Sequence, residues 1–186
     1  LICKEIIMKR LQHALLLLAL AMAPALTHAA GKVDNPAQYV TKSVSVAGVV
    51  AKPLTLSVAE LKKLPPTELA GMPIVCQSGA TMEEVKQYKG VKLKDVLDKA
   101  EIVSKDHNDN KKMVIVATAS DGYKAIFSWQ ELYNSPIGDE VVVFYEKNSK
   151  PLDEDEGQIA LISAKDLRAG PRHVKWLKSL EVVKLF

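Results

Sequence analysis

Short runs of apolar residues, several of them alternating with polar ones, are spread along most of the chain. Alternation with a period of two is typical of half-buried strands, and a short continuous apolar run is typical of a fully buried strand. These patterns predict strands at 43–50, 54–56, 72–76, 113–119, 123–127, 141–145 and 159–162. Two of these strands are separated by Asp121-Gly122, a dipeptide that favours a tight hairpin turn.

Two pairs of Ser and Glu, each three residues apart, mark the starts of short helices. Ser57 with Glu60 and Ser128 with Glu131 match the capping box, in which each side chain satisfies a backbone N–H group at the helix start. The first pair predicts a helix over 58–64, which the two prolines that follow would end.

Three further segments have weaker local signals. Apolar positions within 91–100 are spaced as one face of a helix. The stretch 77–90 is predicted to be irregular, with a short helix capped by Thr81, and Ser163 with Asp166 has the spacing of a weaker helix cap. Predicted strands outnumber predicted helices, and the helices are too short for a regular series of βαβ units. The sequence therefore predicts an α+β fold with mixed or antiparallel sheets and short helices.

The first part of the chain has the composition of an export signal. Lys9 and Arg10 precede an apolar stretch over 14–23, Pro24 ends it, and small residues precede a cleavage site after Ala29. A membrane anchor is the alternative, but the apolar stretch is interrupted and shorter than a bilayer requires. We therefore expect a cleaved signal peptide, a periplasmic or secreted protein, and no stable membrane insertion after cleavage.

The predicted signal peptide is the first of three parts of the chain. Residues 1–29 are upstream residues and signal peptide, 30–42 form a polar lead-in, and 43–186 form one domain. The signal part carries three of the 25 basic and one of the 22 acidic residues, so the formal net charge falls from +3 to +1. The hydrophobic share of 48% is that of a globular protein, and so small a net charge gives no reason to expect a nucleic-acid partner.

Cys76 is the single cysteine outside the signal part, so an intrachain disulfide is excluded. It follows a predicted strand and precedes the polar residues 77–79, where the strand would fix the side chain and the loop would admit a ligand. A thiolate at this place can bind a soft metal. The alternatives are a small buried hydrophobic residue and a nucleophile paired with His173, for which no orienting third group is evident.

Basic side chains are concentrated in one segment near the end of the chain. Arg168, Arg172, His173 and Lys175 lie within eight residues, and the two arginines are the only ones outside the signal part. Because the guanidinium group is suited to phosphate or carboxylate, the cluster indicates either capture of a small anion or a solvated loop. The acidic run 153–156 lacks the alternate spacing of a calcium loop and is predicted to be a solvated turn.

The order of these elements resembles the molybdopterin-binding domain of the sulfite oxidase family over about 44–183. The segments that carry the resemblance are, in chain order, Leu54–Leu56 before a helix, the strand ending at Cys76, Tyr88–Leu97, Ser120–Tyr123 with Phe127-Ser128, Lys150–Leu152 with Gly157, and Arg172–Leu177. No single segment is specific, whereas their order and spacing together are. The resemblance implies the sulfite-oxidase-like α+β fold.

The same resemblance implies a cofactor and an activity. In that family a cysteine at the position of Cys76 binds molybdenum, and basic residues hold the phosphate of the molybdopterin. Arg168, Arg172, His173 and Lys175 would then bind that phosphate or a substrate anion. The implied chemistry is two-electron oxygen-atom transfer on a small anion, or reduction of an S-oxide, with a redox partner.

Two departures from the family favour a second hypothesis. The family lines its cofactor pocket with many arginines and tryptophans, whereas residues 30–186 contain two of each. The signal around Lys9-Arg10 is typical of export in the unfolded state, whereas the cofactor is inserted in the cytoplasm. The alternative is therefore a binding or interaction module that keeps the fold without the cofactor.

Overall fold

Residues 35–186 are described by the computed structural model, in which they form ten strands and three α-helices. The strands are β1 (Ser43–Gly48), β2 (Leu54–Ser57), β3 (Thr67–Val75), β4 (Thr81–Lys92), β5 (Met113–Ala119), β6 (Lys124–Ser128), β7 (Val141–Lys147), β8 (Lys150–Pro151), β9 (Ala160–Ser163) and β10 (Leu177–Lys184). The α-helices are α1 (Val58–Leu61), α2 (Leu93–Ala100) and α3 (Trp129–Tyr133). Single 3-10 turns lie at Pro36–Tyr39, Asp109–Lys112, Pro136–Glu140 and Gly170–Arg172. The predicted signal peptide and the start of the lead-in lie outside the described residues.

The ten strands of the described range form two five-stranded sheets. In the first sheet the order is β2-β1-β10-β5-β6, with β1 parallel to β10 and all other neighbours antiparallel. The second sheet has the order β3-β4-β7-β8, with β9 also paired to β7, and is antiparallel throughout. The predicted α+β class with mixed or antiparallel sheets is confirmed.

Both predicted capping boxes form. The Ser57 hydroxyl accepts from the Glu60 N–H group, and the Glu60 carboxylate accepts from the Ser57 N–H group at 2.8 Å. Ser128 and Glu131 make the same pair of contacts at the start of α3. Helix α1 ends at Leu61, three residues before the predicted end, and the chain continues in a turn towards the prolines.

The stretch 77–90 is the largest difference from the prediction. It contains no helix at Thr81, because Thr81–Lys92 is the long strand β4, which pairs with β3 on one side and with β7 on the other. Strand pairing with distant segments outweighs the local capping signal here. The described residues after Ser163 also form a turn instead of a helix, in which the Ser163 hydroxyl donates to Asp166 at 2.9 Å.

Strand β7 explains why five consecutive apolar residues occur at 141–145. Its residues Val141, Val143 and Tyr145 belong to one hydrophobic core, which also contains α2 and one face of the first sheet. Val142 and Phe144 belong to a second core on the opposite face of β7. A strand that is buried on both faces needs apolar side chains at every position.

The edge strand β3 positions the candidate site. It begins at Thr67, five residues before the predicted start, and pairs only with β4 among the described strands. Because it is at an edge, only Leu69 and Ile74 of this strand are buried, although the sequence predicted a buried strand. Cys76 is the first residue after it. Within residues 35–186, no helix combines the length and the apolar character needed to cross a bilayer.

Candidate functional site

Cys76 begins a tight hairpin that joins β3 to β4. Its N–H group donates to the carbonyl of Ala80 at 3.0 Å, and its carbonyl accepts from the N–H group of Gly79 at 2.9 Å. Gly79 has a φ of +91°, a backbone conformation that costs other residues free energy and glycine little. The hairpin therefore holds Cys76 at the rim of the sheet, and the side chain is half-buried instead of being enclosed in the core.

The hairpin stabilises the ionised form of the Cys76 thiol. The pKa of Cys76 is lowered mainly by the Ser78 hydroxyl, which lies 2.7 Å from Sγ. Desolvation opposes this effect, and the backbone N–H groups of Ser78, Ala80 and Gly79 lower the pKa further. A thiolate is the form that attacks electrophiles and binds soft metals. Cys76 is therefore not a fully buried residue, and the contacts of the hairpin favour its ionised form.

The basic segment lies directly against this hairpin. A Cβ atom on Gly170 would be 2.7 Å from the carbonyl oxygen of Val75 and 3.0 Å from the Cα atom of Cys76, so only glycine permits this contact. Arg168, whose side chain is exposed, donates a hydrogen bond to the carbonyl of Gln77. Cys76 and the predicted anion-binding segment are therefore neighbours in space.

The guanidinium group of Arg172 is engaged by other residues of the protein. Its Nε atom donates to the Asp166 carboxylate at 2.6 Å, its Nη1 atom donates to Glu131 at 2.9 Å, and the guanidinium lies 4.6 Å from the centre of the Phe127 ring. The hydrogen bond to Asp166 is the main reason that the pKa of Arg172 is raised. Two carboxylates thus neutralise Arg172, and the prediction that it captures an external anion has no support from this geometry.

His173 is likewise engaged inside the protein. Its Nε2 atom lies 3.1 Å from the carboxylate of Glu156, and only 5% of its side chain is exposed. The described contacts give it Glu156 as a partner and no hydrogen bond with Cys76, so a Cys76–His173 nucleophilic pair is not formed. His173 also packs against the ring of Phe144.

The burial of Glu156 contradicts the prediction that all of 153–156 is a solvated turn. The first three residues of this run are exposed, but Glu156 is completely buried and also accepts from Lys147 at 3.3 Å. Burial alone would raise the pKa of Glu156, but the hydrogen bond with His173 and the charges of His173, Lys175 and Lys147 lower it to about 2. No cluster of three His, Cys, Asp or Glu residues suited to a metal occurs in the described part of the chain.

A small cavity of about 230 Å³ lies beside the hairpin. Its wall is formed by Ile74, Met82, Glu83, Gly170, His173 and Lys175. Glu83 pairs with Lys147 at 2.9 Å, whereas Lys175 is half-buried and has no ion pair within residues 35–186. Of the four predicted anion-binding residues, Lys175 and the exposed Arg168 are the two that form no ion pair with a carboxylate among residues 35–186.

Several residues that shape this site have no direct signal in the amino-acid sequence. Ser78 is detectable as a hydroxyl two residues after the cysteine, but its effect on the thiol depends on the hairpin. Asp166 and Glu131 could not be assigned to Arg172, because Glu131 lies 41 residues away in the chain. Gly170 lies within the predicted basic segment, and its close approach to Cys76 is a property of the folded chain.

The chain belongs to the family whose model is described as the oxidoreductase molybdopterin binding domain, which matches residues 30–185. The fold is similar to that of the sulfane dehydrogenase SoxCD from Paracoccus pantotrophus, with a TM-score of 0.58 and 20% sequence identity. This match covers 82% of the present chain and 40% of the other, so the chain spans less than half of the length of that protein. Comparison with curated proteins gives no match. The family and fold inferred from the sequence are confirmed.

The residues present fit a molybdopterin cofactor better at its metal end than at its phosphate end. Cys76 offers an accessible soft ligand whose ionised form the hairpin already stabilises. Arg172 and His173 are paired with carboxylates, so Lys175 and Arg168 are the cations left to hold a phosphate. Lysine is a point charge and Arg168 is exposed, so these two residues would bind a phosphate more weakly than two converging arginines.

Proposed function

We propose that this domain is an exported oxidoreductase module that binds a molybdopterin cofactor through the thiolate of Cys76 and acts on a small anion or an S-oxide. The observation that supports this most is the hairpin around Cys76, which lowers the pKa of the thiol while leaving it accessible. Ionisation in advance of binding favours a metal, because binding to a thiol otherwise has to displace its proton.

Each residue of the site has a separate part in this proposal. The bound cofactor supplies the two-electron oxygen-atom transfer. Cys76 ligates the metal, and the Ser78 hydroxyl and the hairpin N–H groups orient its sulfur and limit its charge donation. Lys175 and Arg168 attract the phosphate or an anionic substrate. Gly170 lets the segment that carries these two cations lie against Cys76.

The experiment that tests this proposal is a molybdenum determination on protein isolated from the periplasm of the native host. Near-stoichiometric metal is expected, with its loss in Cys76→Ser and its retention in Ser149→Ala, an exposed serine elsewhere on the surface. Enrichment in the periplasmic fraction, with a chain beginning near residue 30, tests the export part. Well-folded periplasmic protein without metal would overturn the cofactor part.

A cofactor-free module that binds a small anion is the second candidate, and the pairing of Arg172 with Asp166 and Glu131 favours it. This pairing satisfies Arg172 without any ligand. Such a module should gain thermal stability by mass action when sulfate or phosphate is added. The gain should be smaller in Lys175→Gln than in Lys178→Gln, which removes an equal charge from the exposed side of β10.

A further inference from the structure

A second cavity, of about 390 Å³, lies between the end of α2, the loop that follows it, and α3. Its wall includes Asp98, Glu101, Ile102, Asn110, Trp129 and Tyr133. None of these residues belongs to the wall of the cavity beside Cys76. The volume is within the range of sites that bind small molecules.

Aromatic rings form one side of this cavity. Trp129 and Tyr133 are one helical turn apart on α3, and their rings are stacked with centroids 4.7 Å apart and planes inclined by 16°. The capping box at Ser128 fixes the start of α3 at Trp129, and α3 ends at Tyr133. The Tyr133 hydroxyl donates to Asp98 on α2 at 2.8 Å, so the aromatic side is connected to the acidic side.

The charged side chains of the wall are acidic. Asp98 and Glu101 are the ionisable carboxylates, and within residues 35–186 no Lys, Arg or His lines the cavity. Burial, followed by the hydrogen bond to Asp98 and the charges of Asp98 and Asp95, raises the pKa of Tyr133, so its hydroxyl remains a donor to Asp98. Glu101 also pairs with Lys52, in a contact that leaves both side chains more than half exposed.

One hydrogen-bond acceptor beside the cavity has no partner within residues 35–186. The Oδ1 atom of Asn110 is buried and has no hydrogen-bond partner among the described residues. Buried acceptors of this kind are usually paired, and an unpaired one costs free energy that a suitable ligand can recover. The cavity therefore combines acceptors and negative charge with an aromatic surface.

We propose that this cavity binds a small primary alkylammonium ion. A cation is attracted by the faces of aromatic rings and by the two carboxylates, and its N–H groups can donate to these carboxylates. The alkyl part would contact Ile102 and the rings. An anionic ligand is disfavoured here, since both charged side chains that line the cavity are carboxylates. The proposal does not depend on a cofactor at Cys76.

The two tryptophans of the chain allow a direct test, because Trp129 lines the cavity and Trp176 does not. The indole N–H signals of ¹⁵N-labelled protein are followed by NMR while n-butylammonium chloride is added at constant ionic strength. We expect a saturable shift of the Trp129 signal and no shift of the Trp176 signal. The neutral compound 1-butanol, which has the same number of heavy atoms, should require an at least about tenfold higher concentration.

Charge variants test the acidic side. Asp98→Asn combined with Glu101→Gln should weaken butylammonium binding about tenfold. Lys52→Gln should strengthen it, because it frees Glu101 from its present partner. Glu68→Gln, an exposed carboxylate on β3, is the control and should leave binding unchanged. The proposal is overturned if Trp129 does not respond, if 1-butanol binds equally well, or if the control weakens binding as much as the double variant.

Discussion

The guanidinium of Arg172 lies 2.9 Å from the carboxylate of Glu131, and this ion pair joins the segment beside Cys76 to the first turn of α3. The other oxygen of the same carboxylate accepts from the N–H group of Ser128 at 2.8 Å and completes the capping box. One carboxylate therefore caps a helix and neutralises an arginine. Arg172 is a structural residue in this arrangement, whether or not a ligand binds nearby.

Replacement of Arg172 by Met should destabilise the protein by about 2 kcal/mol, because it leaves Asp166 and Glu131 without their half-buried partner. Urea unfolding of ligand-free protein measures this. Arg168→Met is the matched control, since Arg168 is exposed and forms no ion pair in the described range, and its effect should be within about 0.5 kcal/mol. Equal effects of the two variants would contradict a structural role for Arg172.

The parts of the fold that were predicted correctly depend on short-range signals. The Ser57–Glu60 and Ser128–Glu131 capping boxes contain their own partners three residues away, and the β-branched run 113–119 needs no distant segment to be recognised. Strand β4 has no such signal, since Thr81–Glu84 resembles a helix start. Only its pairing with β3 and β7 determines its structure.

Residue types alone suggest a candidate site, but they do not show which of its charges are paired. The sequence singled out Cys76 and the basic segment 168–175, and Arg168 and Gly170 of that segment contact the hairpin of Cys76. It could not show that Arg172 is neutralised by Glu131, 41 residues away, or that His173 is paired with Glu156, 17 residues away. Such pairings depend on the three-dimensional approach of separate segments, which a local pattern does not encode.

Glu156 should make the stability of the protein depend on acid pH. Its pKa is about 2 in the folded protein and about 4.3 in an unfolded chain, so its stabilising effect is complete above the unfolded value and is lost as the pH falls from 5 towards 2. We expect Glu156→Gln to remove about 2 kcal/mol of the stability difference between these two pH values.

The measurement is urea unfolding of the unmodified protein, Glu156→Gln and Glu154→Gln at several pH values between 5 and 2. Glu154 is an exposed neighbour in the same turn, so its variant should keep the pH dependence of the unmodified protein. If the free energy of unfolding falls with pH equally in Glu156→Gln and Glu154→Gln, the pairing of Glu156 with His173 and Lys147 is refuted.

Ser78 should control the reactivity of Cys76. Because the Ser78 hydroxyl is the main cause of the lowered thiol pKa, Ser78→Ala should raise this pKa and reduce the thiolate fraction at neutral pH. Alkylation by iodoacetamide at pH 7 should slow by about threefold, since the gain in intrinsic nucleophilicity offsets part of the lost ionisation. The pH midpoint of alkylation should move upwards. Ser149→Ala is the control, and an identical pH profile in all three proteins would count against a thiolate stabilised by the hairpin.

Gly170 should be required for the contact between the basic segment and Cys76. In Gly170→Ala the added Cβ atom would lie 2.7 Å from the carbonyl oxygen of Val75, so the segment has to move away from the hairpin. We expect a loss of about 1–3 kcal/mol in stability and faster alkylation of Cys76, whose sulfur becomes more accessible. Gly122→Ala is the comparison, because no atom lies within 4 Å of its added Cβ and its cost comes from the φ of +93° alone. It should lose about 1 kcal/mol and leave the alkylation rate unchanged. If Gly170→Ala leaves the alkylation rate unchanged as well, the basic segment does not cover Cys76 in solution.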